Sequence, residues 1–385
     1  MLGGMALDCP YVECPGCPAR DAEYGAQLEA KATRLRAALA GYPSLAKLAV
    51  EPIVAAAHVV GYRHRAKLPV VEAGGALRMG LYTSGRTIVD TPGCPVLHPE
   101  VRRVLDGLRA WMAEGRLAAP AGPVTGVDVR FVAAAGACQA TIACRGGELP
   151  GGARAARRLR RAIPGLATVA VSRSDPRGVR VLGEEPRVLA GPTTLIEKVG
   201  ATAYRLAPGA FFQVDPRQAA ELARLVAAAL GGARRIADVY CGVGAYALAL
   251  AAARADVEVV GIEESPEAIR AARLAAADAG LEGRVRFVEG QAEDVLARGE
   301  LAGGVDGVVL NPTRHGAEAR ALEAIARAAP AAVAYVSCDP VTLARDLDLL
   351  ARAGYRATLV TPVDLFPQTF EVETVVALGR AGAAS

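Results

Sequence analysis

The rhythm of apolar and polar positions changes part-way along the chain. From about residue 203 onward, short β-branched runs alternate with longer helical stretches. Runs at 236–240, 257–262, 285–288, 305–310, 332–336, 357–360 and 372–377 read as strands; 246–253, 266–279, 317–328 and 341–353 read as helices between them. Such alternation predicts a parallel sheet covered on both faces. Ligands on that architecture bind where strands end and helices begin. Between about 52 and 195 the strand-like runs 127–133, 167–172 and 179–182 are separated by Gly/Pro turns, and one strong helix at 151–163 interrupts them. That pattern predicts an α+β unit. Residues 23–40 have helical character, with Leu28, Leu35 and Leu39 on one side. The first twenty residues, rich in cysteine and proline, read as an irregular clip. The expected organisation is a clip over 1–20, a helix plus α+β central domain over 21–202, and an α/β domain over 203–385.

Composition changes this picture little. A chain of 385 residues is long enough for two cores, and 52% hydrophobic with 22% charged residues is globular. The formal net charge of +4 is compatible with a polyanionic partner without requiring one. The opening MLGGMALDCP has no basic stretch followed by an apolar core. No apolar run approaches ~20 residues without a charge. With eight unevenly placed cysteines in a chain of this length, a secreted disulfide scaffold does not fit. A cytoplasmic protein is expected.

Candidate chemistry concentrates in the second half. ADVYCGVGAYALAL (237–250) is a strand, a glycine-rich turn and a helix, and Gly242 and Gly244 let backbone approach a ligand closely. About twenty residues on, Glu263 ends the next strand, where a carboxylate can accept hydrogen bonds from ribose hydroxyls. Gly242, Gly244 and Ala247 also satisfy the loose dinucleotide fingerprint. This segment therefore indicates a nucleoside cofactor and leaves S-adenosylmethionine and NAD both open.

In AYVSCDPVTLARDL (334–347), Cys338 follows a strand and precedes Asp339-Pro340, a capping residue and a first-turn proline. A thiol beside a helix N-terminus is expected to ionise more readily. Position alone leaves a second reading open, a small buried hydrophobe that ends a strand. Three further segments bear on the choice. DGVVLNPTRHG (306–316) ends a strand with Asn311-Pro312. PGAFFQVDP (208–216) sets Phe211, Phe212 and Gln213 just ahead of the α/β domain. DLFPQTFEVETVVAL (364–378) delivers Glu373 into an apolar strand, where an unpaired carboxylate is costly. The bland alternative for Glu373 is an exposed strand face shared with Glu371.

Taken in order, FFQV, DVYCGVG, GIEE, LNPTR, YVSCDPVTLARDL, DLFPQT and VETV closely resemble the S-adenosylmethionine-dependent RNA uracil-5-methyltransferases. These enzymes make 5-methyluridine in rRNA and tRNA. The resemblance runs over nearly the whole chain and is strongest over 205–378. Within the family the chain is similar to the shorter 23S rRNA enzymes without an N-terminal TRAM β-barrel. The resemblance implies a Rossmann-like S-adenosylmethionine methyltransferase domain joined to an α+β domain with an iron–sulfur clip. It implies Cys338 as nucleophile and Glu373 as general base. Gln213, Tyr240, Gly242, Gly244, Glu263 and Asn311 would line the S-adenosylmethionine site, and Phe211 would lie near the target base. The chemistry suits these residue types. Uracil C5 is a poor nucleophile until a thiolate adds to C6, and a base must then remove the C5 proton so that the thiolate can leave. The implied function is a monomeric 23S rRNA uridine methyltransferase, with a tRNA enzyme or a non-catalytic RNA-binding module as alternatives. The chain departs from the family pattern at Asn311-Pro312-Thr313-Arg314, where many members read D-P-P-R, and at Asp215 and Asp339, where asparagine is usual. It also departs at Glu371, where histidine is usual.

DCPYVECPGCPAR supplies Cys9, Cys14 and Cys17, and TPGCPVLHP adds Cys94. Three thiols in so short an aperiodic stretch seldom serve packing, and ligand type alone leaves zinc and an iron–sulfur cluster open. The family resemblance implies a structural [4Fe–4S] cluster on these four. Cys138 and Cys144 lie at even spacing in a strand-like run and are expected in a core, with Cys241 packed beneath the glycine turn. Arg154, Arg157, Arg158, Arg160 and Arg161 on one helix, with Arg63, His64, Arg65 and Lys67 nearby in sequence, are candidate phosphate contacts. A solvated arginine face is the alternative.

Overall fold

The computed structural model describes residues 6–73, 76–114, 123–175, 177, 180–299 and 304–380. Helix α1 (Tyr24–Ala40) precedes a mixed sheet built from β1 (Arg65–Ala73), β2 (Ala76–Tyr82), β3 (Ile88–Asp90), β4 (Val124–Val132), β5 (Ala137–Cys144), β6 (Leu166–Arg173) and β7 (Arg187–Ala190). Its order is β3-β2-β1-β4-β5-β6-β7. Helices α2 (Pro99–Ala113) and α3 (Gly152–Ala162) belong to the same part of the chain, and a hairpin of β8 (Leu195–Val199) and β9 (Thr202–Leu206) leads out of it.

Alternation gives the central sheet two unlike faces. Ala66, Leu68 and Val70 of β1, Val127 and Val129 of β4, and Cys138, Ala140, Ile142 and Cys144 of β5 pack with α2 and α3 in one apolar core. The intervening Arg65, Asp128, Arg130 and Gln139 are buried as well; Asp128 pairs with Arg65, and the other three donate to the carbonyls of Leu206, Gly209 and Ala210.

The second sheet comprises β10 (Arg235–Val239), β11 (Glu258–Glu263), β12 (Val285–Glu289), β13 (Gly307–Leu310), β14 (Ala332–Ser337), β15 (Tyr355–Val363) and β16 (Glu373–Arg380). Helices α4 (Pro216–Leu230), α5 (Ala245–Ala253) and α6 (Pro266–Asp278) contribute to the core on one face. The core on the other takes in α1 with α7 (Ala292–Ala297), α8 (Ala319–Ala328) and α9 (Pro340–Arg352). No helix among the described residues is long and apolar enough to cross a membrane.

Three sequence expectations need correction. The sheet is not all parallel: its order is β12-β11-β10-β13-β14-β16-β15, and β16 runs antiparallel to both neighbours. The connection between β15 and β16 is too short for a crossover, so the chain turns back as a hairpin. The strand expected at 179–182 falls at 187–190 instead. Val179 lies outside the described residues, and Arg180–Leu182 form no strand. The Asp175 carboxylate accepts the Arg177 and Arg180 N–H groups and folds that stretch into a turn. Helices α2 and α4 were not expected at all. Each starts with proline after a capping side chain, His98 Nδ1 accepting from the Glu100 N–H and Asp215 from the Arg217 N–H.

The segment 364–370 between β15 and β16 is gripped from several sides. Lys31 of α1 and Asp364 form a wholly buried ion pair. Tyr24 Oη donates to the same carboxylate at 2.8 Å, and Lys31 Nζ also donates to the Phe366 carbonyl at 2.9 Å. Gln27 and Gln368 exchange two hydrogen bonds, and Tyr62 Oη donates to the Pro367 carbonyl at 3.0 Å. Removing one partner of such a pair strands the other charge, at about 3–5 kcal/mol. Lys31→Met should therefore lower unfolding stability by that order in denaturant titration, far more than Arg36→Met on the exposed side of α1. Equal losses would mean that Asp364 is satisfied without the lysine.

Candidate active site

A cavity opens at the carboxyl ends of β10 and β13. Phe211, Phe212, Gln213, Tyr240, Gly242, Tyr246 and Asn311 help to line it. Its floor is the turn after β10, where Tyr240, Gly242 and Gly244 all have positive φ (66°, 56° and 81°). At Gly244 a Cβ would also come 2.9 Å from the Phe287 ring, whereas at Gly242 it would meet nothing within 4 Å. Two carboxylates hold the turn in shape. Glu263 accepts the Gly242 N–H at 2.9 Å on one oxygen and the Ser265 N–H at 3.0 Å on the other. Asp238 accepts the Ala247 N–H at 2.9 Å, and full burial pushes its carboxyl up to about 7. The side-chain amides of Gln213 and Asn311 make no hydrogen bond to any described residue, so they remain free to meet a ligand.

Of the residues expected at the site, Phe211, Gln213, Tyr240, Gly242 and Asn311 line this one cavity, with Gly244 and Glu263 shaping it from behind. The two phenylalanines divide their tasks. Phe212 is buried against Tyr204, ring centres 5.3 Å apart, while Phe211 is 67% exposed. Arg65 donates to the Gly209 and Ala210 carbonyls at 2.9 and 2.6 Å, and Arg130 also donates to Ala210. Asp128 pairs with Arg65, its Oδ1 taking the Nε–H at 2.8 Å. Sequence reading missed this buried trio as a support. Its signal was the charge at alternate positions of β1 and β4, opposite the apolar ones.

Cys338 and Glu373 meet through strand pairing. Val336 faces Val375 and Ser337 faces Thr374 in the antiparallel ladder of β14 and β16. One step further along that register sets Cys338 across from Glu373. The thiol is half-buried, just past β14. Asp339 then caps α9, accepting the Val341 and Thr342 N–H groups at 2.9 Å each, with Pro340 in the first turn. Glu373 is buried, which overturns its reading as an exposed face shared with Glu371.

The electrostatics correct a second expectation. Burial first, and then the Glu373 charge, push Cys338 up to about 11, with Arg314 pulling the other way, so the thiol is raised where a lowered one was expected. Burial likewise pushes Glu373 up to about 7, again opposed by Arg314 and reinforced by Glu371. Arg314 itself reaches Glu371 at 3.5 Å.

The four remaining candidate thiols share one neighbourhood. Burial, then the charges of Cys94, Cys14 and Cys9, push Cys17 up to about 12. Burial pushes Cys94 up, while hydrogen bonds from the Val96 and Leu97 backbone pull it down. Among the described residues, no group of three or more His, Cys, Asp or Glu side chains is arranged to hold a metal ion. Cys138 and Cys144 are core residues of β5, and Cys241 is buried against Gly261 beneath the turn.

In the free protein, alkylation of Cys338 should rise with pH toward a midpoint near 11, followed by peptide mass spectrometry with iodoacetamide. Glu373→Gln removes the negative neighbour and should shift that midpoint down. No shift would separate the two side chains.

Comparison with known proteins agrees with this geometry. A family described as a methyltransferase domain matches residues 231–358. An uncharacterized RNA methyltransferase of Gloeobacter violaceus is 35% identical over 384 residues, covering 97% of this chain and 82% of the relative. One from Thermosynechococcus vestitus is 34% identical over 375 residues, with 95% and 82% covered. Among solved structures, the tRNA (uracil-54, C5)-methyltransferase of Pyrococcus abyssi, in complex with S-adenosyl-L-homocysteine, superposes with a TM-score of 0.78. It is 25% identical, with 95% of this chain and 86% of that one covered. With such relatives matched along almost its whole length, the chain belongs to the RNA methyltransferases.

Proposed function

We propose that the protein transfers a methyl group from S-adenosylmethionine to C5 of a uridine in 23S rRNA through a covalent bond between Cys338 and uracil C6. The observation that carries this reading is the strand register that sets a half-buried thiol against a buried carboxyl at the carboxyl edge of the sheet. Support for the methyl donor comes from the open backbone cradle at Gly242 and the uncommitted amides of Gln213 and Asn311. When bound, the donor supplies an electrophilic methyl group.

The chain's own residues then have defined work. The Cys338 thiolate adds to C6, and the displaced electrons make C5 nucleophilic. After C5 has been methylated, the Glu373 carboxylate removes its proton and the C6–S bond breaks, returning the thiolate. Phe211, exposed beside the cavity, offers a face on which an unstacked base can rest. Glu373 must be ionised to act, so the elimination step should slow as pH falls below about 7.

Cys338→Ala should abolish methylation in a tritiated-methyl assay. Glu373→Gln should still add to the base but eliminate some 10²–10⁴-fold more slowly, leaving a protein–RNA adduct on denaturing gels. A methylating Cys338→Ala protein would end the covalent reading. A second substrate reading, tRNA, is favoured by the likeness to the Pyrococcus abyssi tRNA enzyme. Mass spectrometry of 5-methyluridine in rRNA and tRNA from cells with and without the gene decides between them: loss from tRNA alone overturns the rRNA assignment.

We also propose that Cys9, Cys14, Cys17 and Cys94 hold a [4Fe–4S] cluster that ties the N-terminal clip to the central domain. Support comes from the thiol donor set itself, from the charges of Cys94, Cys14 and Cys9 acting on Cys17, and from the N–H groups aimed at Cys94. Anaerobically purified protein should be brown and contain iron and sulfide, and Cys94→Ser should lose both. Zinc in their place would refute the cluster.

A further inference from the structure

The helical side of the central sheet carries a cationic surface that the methyl-transfer site does not use. On α3, Arg154, Arg157, Arg158 and Arg161 recur at i, i+3, i+4 and i+7, which places them in one stripe. Seven residues of helix make that stripe about 10 Å long, and Arg160 flanks it. All five arginines are exposed, while Ala155, Ala156 and Leu159 on the opposite side are buried.

What sets this helix apart is the clustering of uncompensated charge. It contains no acidic residue, and none of its five arginines makes an ion pair or hydrogen bond with any described residue. Exposed arginines without a carboxylate partner among the described residues occur elsewhere too, such as Arg78, Arg145 and Arg298, but they are scattered along the sequence and not grouped on one helix. Arg103, Arg187, Arg224, Arg270 and Arg352 each lie within 4 Å of a carboxylate. Five unpaired charges on one helix exceed the formal net charge of the whole chain, +4, so the rest of the molecule is close to neutral. The apolar side of α3 is committed to the core with α2 and the sheet, which leaves nothing to insert into a lipid surface. The complementary partner is a polyanion lying on the arginine stripe.

Placement adds a constraint. α3 packs over β6 and the edge strand β7. The Arg65 and Arg130 side chains that hold the 209–210 carbonyls project from the opposite face of the same sheet. An RNA that fills the cavity can reach α3 only by passing the edge of the sheet. We propose that α3 is a second RNA contact, binding phosphates of a stretch of the substrate separate from the nucleotide that enters the cavity. This rests on the chain being an RNA methyltransferase and not on which base or atom receives the methyl group.

The test is a salt series of binding by fluorescence anisotropy, without methyl donor. Wild type is compared with the quadruple variant Arg154→Gln, Arg157→Gln, Arg158→Gln, Arg161→Gln. The probes are a 23S rRNA transcript, unfractionated tRNA and a short single-stranded oligouridylate. Each lost phosphate contact removes about 0.7–0.9 from the slope of log affinity against log salt. The slope for the long RNAs should therefore become shallower by about 3, with affinity at least about tenfold weaker at low salt. Binding of the oligouridylate should not change. The matching quadruple lysine variant should keep the wild-type slope. An unchanged slope on both long RNAs overturns the proposal and leaves the stripe to an acidic protein partner. Equal weakening on long and short RNA, or a lysine variant as weak as the glutamine one, also overturns it. Because no methyl transfer is measured, these outcomes are independent of the uracil-C5 mechanism.

Discussion

The antiparallel pairing of β16 with β14 is the constraint on which the site depends. In a ladder of that kind the end of one strand lies opposite the start of the other, so a residue leaving β14 meets a residue entering β16. Here these are Cys338 and Glu373. A slip of one residue would turn Glu373 to the other face of the sheet and present Thr374 or Val372 to the thiol. The register is held by the apolar neighbours Val336, Val375 and Val376, all buried, and by β15, which pairs with the other edge of β16 through Glu373 itself.

Much of this half was legible because its signals are local. Strand periodicity, the glycine turn and the Asp339-Pro340 helix start each lie within a few residues, and each was found in place. The direction of β16 was not legible, since a strand pattern carries no information about its neighbour. The thiol's ionisation was misread for a related reason. Sequence places a helix N-terminus beside Cys338, but only the fold supplies the burial and the Glu373 charge that push the thiol up. The aspartates at 215 and 339 are easier to understand in the structure. Both cap helices by accepting backbone N–H groups, a role that aspartate and asparagine fill about equally well.

Charged residues of the central half were the hardest to place. Arg65 was expected as a phosphate contact and Asp128 and Arg130 drew no reading, yet all three lie buried between two parts of the chain. A buried charge survives only with partners, and theirs are each other and the carbonyls just ahead of Phe211. The central sheet thus supports the loop ahead of Phe211 with its polar face while its apolar face makes its own core. Neither use could be assigned to these arginines from alternation alone, because alternation separates two faces without saying what covers each.

The grip of α1 on the 364–370 segment has a consequence for synthesis. Lys31 and Asp364 stand 333 positions apart, so the helix that secures this segment leaves the ribosome long before the segment exists. Domains generally fold as they emerge, amino-terminal parts first, but this contact must wait for almost the entire chain. Until then Lys31 stays in water and β16 has not been made, so the edge of β14 has no partner. A chain that stops short of β16 cannot bring the thiol and the carboxyl together: Cys338 and Glu373 can meet only after β16 has been made.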